Sequence, residues 1–143
     1  MIVPDANLLI YAYNEGSEWH RTARQWLEKS FSDNTQIAFP WLVILAFLRL
    51  TTNPRVFPKP FSIQTVTAIV QSWLAQPNVA LLLPGENHWS LLRKLLEDHQ
   101  LNRELVSDAH LAALCMEHGA MLYTTDRDFA RFKGLALRNP LAR

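Results

Sequence analysis

Glycine is scarce in this chain of 143 residues: Gly16, Gly85, Gly119 and Gly134 are the whole set, and no two lie close together. A phosphate-cradling P-loop and a dinucleotide-binding turn each need several glycines at short spacing, so both are excluded. Cysteine is scarcer still. Cys115 stands alone, which rules out an internal disulfide and a cysteine-based zinc cluster. That usage fits a reducing, cytoplasmic setting. Charge of neither sign dominates. The net charge is +1, so no overall basic field announces a nucleic-acid partner, although a local basic surface stays open. The longest apolar run, Ala38 to Leu48, falls short of the ~20 residues that span a bilayer and reads as buried core. Met1 to Asp5 lacks a basic n-region and Asp5 interrupts its apolar stretch, so a signal peptide is not expected. No repeat, low-complexity tract or charge block divides the chain, and a single domain over residues 1–143 is expected.

What the chain does have is core-forming material: 49% apolar residues, with five Trp and seven Phe. Short apolar runs at Met1 to Pro4, Gln36 to Phe39, Val79 to Leu83 and Ala120 to Thr124 read as strands, with a fifth at Leu135 to Arg138. Between them lie segments of helical period: Ala6 to Tyr13, Ser17 to Phe31, Trp41 to Thr51, Ser62 to Ala75, Glu86 to His99 and Ser107 to His118. Ser62 has the chemistry of an N-cap, and Gly119 that of a helix-ending residue. "RVFPKPF" is a loop. Strands alternating with amphipathic helices imply an α/β fold with a mostly parallel sheet of four to five strands, covered on both faces.

In such a sheet, sites form beyond the carboxyl ends of the strands. Asp5 ends the first strand, Asp126 and Asp128 follow the fourth, and Asp108 lies near the start of the last long helix. Four carboxylates from distant parts of the chain thus converge on one edge. Gathered carboxylates repel one another, and a hard divalent cation such as Mg²⁺ or Mn²⁺ relieves this with oxygen ligands. Asn7 and Thr124 are placed to orient those ligands. A carboxylate closing an apolar strand is costly without a partner, which makes Asp5 and Asp126 the hardest to explain otherwise. Asp108 has a plain alternative in the helix dipole. For Asp128 capping of "FARF" is the simpler reading.

The other reactive groups say less. His20, His88, His99, His110 and His118 share no zinc-ligand spacing, and Cys115 falls on the apolar face of its helix. Arg49, Arg127 and Arg131 head a set of phosphate-contact candidates with Arg55, Lys59 and Lys133. Each taken singly reads as solvated surface, and Arg127 can also neutralise the aspartates on either side of it.

"MIVPDANLLIYAYN" resembles the opening strand, aspartate and helix of PIN domains. "LVSDAHLAALCMEHGAMLYTTDRDFARF" resembles their closing half. "FLRLTTNPRVFPKP" and "WLAQPNVALLLPG" resemble a subgroup of VapC-type toxins from bacterial toxin–antitoxin pairs. The likeness covers nearly the whole chain. It implies a three-layer α/β/α PIN-like fold and a Mg²⁺- (or Mn²⁺-) dependent endoribonuclease. It also implies a VapB-type antitoxin that blocks the site, a homodimer, and a heterotetramer or larger assembly with the antitoxin. One departure stands out. Many PIN domains carry a glutamate before Phe-Leu-Arg, and here Ala46 fills that position, which puts a second metal in doubt.

The expected roles follow. Asp5, Asp108 and Asp126 hold the metal, Asp128 assists, and Asn7 and Thr124 orient the ligands. Two other classes compete. A haloacid-dehalogenase-like phosphatase wants a second aspartate at the position of Asn7, and a phospho-accepting receiver wants its aspartate after a middle strand; neither pattern is met. The alternative that Ala46 motivates is a catalytically weak PIN domain that serves as an RNA- or partner-binding module.

Overall fold

The protein is described by a computed structural model over residues 1–142. Five strands form one sheet: β1 (Ile2–Pro4), β2 (Ile37–Pro40), β3 (Val79–Leu82), β4 (Met121–Tyr123) and β5 (Ala136–Arg138). Their order is β3-β2-β1-β4-β5 and every pair is parallel. Six helices connect them: α1 (Ala6–Tyr13), α2 (His20–Ser32), α3 (Trp41–Thr51), α4 (Ile63–Leu74), α5 (His88–Glu97) and α6 (Leu105–His118). A 3-10 helix spans Arg127–Arg131. The expected α/β architecture and its fifth strand are therefore present.

The two helix groups sit apart for a topological reason. From β1 the chain steps outward to β2 and β3 through α1 to α4, which pack on one another. It then returns past β1 to β4 through α5 and α6, which also pack together. Crossovers of the same hand that run in opposite directions along a sheet lie on opposite faces. The result is three layers, with β1 at the point where the strand order reverses.

Side-chain chemistry explains the elements. All four residues of β2 are buried, as a strand covered on both faces requires. In α6, Leu111 to Cys115 are all buried, which gives Cys115 a core role. Gly119 ends α6 with φ of 63°, a backbone that glycine adopts without a Cβ penalty. The Ser62 hydroxyl accepts from the Thr65 N–H and caps α4, as its position in the sequence implies. Trp73 stacks on Phe39 at 5.2 Å and donates its indole N–H to the Tyr13 hydroxyl at 2.9 Å. Three helix starts differ from expectation. In α5 the helix begins at His88 rather than Glu86. Residues Ser17 to Trp19 form a turn, with the Trp19 N–H on the Ser17 hydroxyl, so α2 begins at His20. α6 begins earlier, at Leu105, which sets Asp108 in its first turn.

Candidate active site

β1 and β4 run side by side in register, with Pro4 opposite Tyr123. The Asp5 N–H extends this ladder by one bond, to the Tyr123 carbonyl at 2.9 Å. The carboxyl ends of the two strands therefore meet, and Asp5 and Thr124 emerge next to each other. This is the switch point of the sheet, where ligands of open α/β folds bind.

Two groups hold the Asp5 carboxylate. Its Oδ1 accepts from the Ala6 N–H at 2.8 Å and so caps α1. Its Oδ2 accepts from the Thr124 hydroxyl at 2.7 Å. Burial is the largest influence on its pKa and raises it, the Thr124 and Ala6 bonds oppose that, and Asp126 adds repulsion. Thr124 is itself buried. Its oxygen also accepts from the Asp126 N–H at 3.0 Å and from the Asn7 side-chain amide at 3.4 Å. One hydroxyl thus links three of the residues that the sequence singled out.

Asp108 reaches the same place from α6. Its carboxyl is pushed up to about 6, first by burial, then by Asp126, with smaller contributions from Asp5 and Glu104; Arg131 works against them. Mutual repulsion among Asp5, Asp108 and Asp126 is the signature of carboxylates that face a common space. A cavity of about 280 Å³ opens there, lined by Asp5 and Asp108 together with Ala46, Arg49, Leu45 and Phe129. Of the basic candidates, Arg49 therefore lies at the site, and Ala46 faces it where many PIN domains have an acid.

Two expectations in the 3-10 segment need correction. Asp126, not Asp128, caps the helix, because the Asp126 carboxylate accepts from the Asp128 N–H at 2.9 Å. Asp128 lies in the first turn and is exposed. Among the described residues Arg127 makes no ion pair with its flanking aspartates; it is exposed, while Arg131 turns inward and bonds Asp108 at 3.2 Å. A 3-10 turn of three residues sends neighbours in different directions, so adjacency in sequence does not make an ion pair. The Arg131 pairing and the role of His99 beneath it were missed. Nothing in their spacing distinguishes them from surface residues.

Among the described residues no three His, Cys, Asp or Glu side chains are drawn together tightly enough to share one ion. Each carboxylate is held by protein donors: Asp5 by Thr124 and Ala6, Asp126 by the Asp128 amide, Asp108 by Arg131. The donor chemistry nonetheless fits a hard divalent cation. Asp5 and Asp108 line one cavity, Asp126 is near enough to repel both, and the Asn7 Oδ1 is buried with no hydrogen-bond partner. An orphaned amide oxygen in an all-oxygen set suits a bound, hydrated cation.

The PIN domain family profile matches residues 2–135. The chain belongs to the PIN domain family. Ribonuclease VapC37 of Mycobacterium tuberculosis is 39% identical over 142 residues, covering 99% of each chain. Ribonuclease VapC33 of the same species is 38% identical, with 99% of each covered. Among solved structures, VapBC-1 from nontypeable Haemophilus influenzae superposes with a TM-score of 0.70 at 15% identity, over 99% of this chain and 100% of that one. VapBC2 from Rickettsia felis, bound to a DNA fragment from its promoter, gives 0.68 at 17%, with 97% and 98% covered. These solved structures share the fold. The sequence-level relatives, named VapC ribonucleases, bear on chemistry.

Proposed function

We propose that this PIN domain is a Mg²⁺- or Mn²⁺-dependent endoribonuclease, the toxin of a toxin–antitoxin pair with a VapB-type partner. The observation that carries the proposal is the convergence of Asp5, Asp108 and Asp126 at the switch point of the sheet, in a chain matched end to end by VapC ribonucleases. Homodimerisation and a larger complex with the antitoxin belong to the same reading. No helix among the described residues is long and apolar enough to cross a membrane.

In this reading Asp5, Asp108 and Asp126 hold the cation, and Asp128 assists. When bound there, a divalent ion would supply Lewis-acid chemistry, lowering the pKa of water and offsetting charge on a phosphodiester. The Thr124 hydroxyl fixes the Asp5 carboxylate, leaving its Oδ1 on the helix cap. The free oxygen of Asn7 accepts a hydrogen bond from water and orients it. Arg49, on the cavity rim, meets a backbone phosphate and fixes the register of the RNA. Leu45 and Phe129 wall the cavity and limit water around the reacting phosphate.

The test is cleavage of a labelled, looped RNA with Mg²⁺, with EDTA, and with Mg²⁺ restored. Cleavage that stops with EDTA and returns with Mg²⁺ supports the proposal. Cleavage that persists in EDTA rejects the metal. Ala46 favours a second reading, a PIN domain that binds without cutting, because it removes one acid from the cavity. An absence of thermal stabilisation by millimolar Mn²⁺ would favour that reading.

A further inference from the structure

The inward cation of the 3-10 helix is held in an unusual way. Only 24% of the Arg131 side chain is exposed, and 15% of its partner Asp108. One guanidinium nitrogen, Nη2, donates to Asp108 Oδ2 at 3.2 Å. The guanidinium carbon lies 4.9 Å from the centre of the Phe132 ring. The Nε–H of the same group is buried and has no acceptor. A guanidinium offers five donors in a fixed fork, and a carboxylate well matched to it takes two. This pair uses one long bond and leaves a buried donor unmet, a weak hold for so enclosed a cation.

The main chain beneath it is firm. His99 Nε2 lies 3.0 Å from the Arg131 carbonyl and its Nδ1 2.7 Å from the Leu95 carbonyl of α5, so the ring is set between two main-chain acceptors. The His99 ring also meets Phe132 edge-on at 5.0 Å. Arg131 is therefore anchored at its backbone, while its tip has one hydrogen bond to Asp108 and the face of Phe132. Among the described residues Arg131 is the ion-pair partner of Asp108, and Asp108 lines the cavity with Asp5.

We propose that Arg131 is a displaceable internal counter-ion of the site: its guanidinium holds Asp108 until a divalent cation takes that carboxylate, and then turns to a substrate phosphate. The inference rests on the metal-dependent reading above. It converts Arg131 from a structural ion pair into a group that competes with the metal and afterwards assists the substrate. His99 is the positioning residue that keeps the anchor in place while the tip moves. The exchange also offsets charge. A guanidinium released by the incoming cation is available where the RNA brings a negative phosphate.

Mn²⁺ titration calorimetry at pH 8 tests it, on the wild-type chain and on Arg131→Met. Removal of the competing charge is expected to tighten Mn²⁺ binding about two- to fivefold, the span of a partly exposed ion pair. Where Arg131→Met fails to fold, Arg131→Gln carries the same comparison. At saturating Mn²⁺ the variant is expected to raise the KM for RNA more than it lowers kcat. Equal or weaker Mn²⁺ binding by the variant, or an unchanged KM, overturns the inference while leaving the metal reading intact. No Mn²⁺ binding by the wild-type chain overturns both.

Discussion

The Thr124 hydroxyl donates to the Asp5 carboxylate at 2.7 Å, across 119 residues of chain. It does so because β1 and β4 lie parallel and in register, so their ends coincide. The same oxygen accepts from Asp126 and Asn7. Thr124 is thus the joint at which the two halves of the site are fastened.

Thr124→Val keeps the shape of this buried side chain and removes the hydroxyl. The change strands the Asp126 amide and leaves Asp5 with one hydrogen bond fewer. A loss of about 1–3 kcal/mol in stability is expected, from the unmet buried groups. RNA cleavage should fall roughly 10- to 100-fold, the usual cost of losing a group that orients a metal ligand. Chemical denaturation and single-turnover cleavage measure the two effects.

Asp108 sets a pH dependence of the metal-free protein. Its carboxyl titrates near 6 when folded, against an ordinary value of 3.8. Between those values the folded chain holds a proton that the unfolded chain has released, so the contribution of this group to stability falls as pH rises through the window. Asp108→Asn removes the penalty. The variant should be more stable than the wild-type chain by about 1 kcal/mol at pH 7.5, a discounted figure because Arg131 loses its partner. The advantage should vanish by pH 4. Thermal unfolding of both proteins in EDTA across that range checks the sign.

Ala46 lines the cavity with Asp5 and Asp108, and Ala46→Glu adds a third carboxylate to it. Repulsion should lower the melting temperature without metal, and Mn²⁺ should restore more stability than it does in the wild-type chain. Calorimetry should show tighter binding or a second equivalent of Mn²⁺. A variant with unchanged metal binding would mean that position 46 does not reach the ion.

Much of this was legible in the residues. Asp5 and Thr124 end apolar strands, and a parallel sheet brings strand ends together, so their meeting follows from pattern alone. Ser62 and Gly119 marked helix ends through chemistry that is local. The errors came where geometry is not periodic. Whether Asp126 or Asp128 caps, and whether Arg127 or Arg131 pairs with an aspartate, depends on how a five-residue 3-10 turn is aimed. Position 99 is the same case: His99 matters through two carbonyls, one of them 32 residues away, and no spacing rule encodes that contact.

Asp5 holds the central claim, since it joins β1, the α1 cap and the Thr124 joint to the proposed cation. The direct measurement is the single-turnover rate of RNA cleavage at saturating Mg²⁺ by the wild-type chain and by Asp5→Asn. Asparagine keeps the size and the helix cap and removes the charge. The account predicts a fall of about 100-fold or more, as removal of a ligand of the reacting metal requires, in a protein that still melts cooperatively. A folded Asp5→Asn that cleaves RNA at the wild-type rate would contradict it.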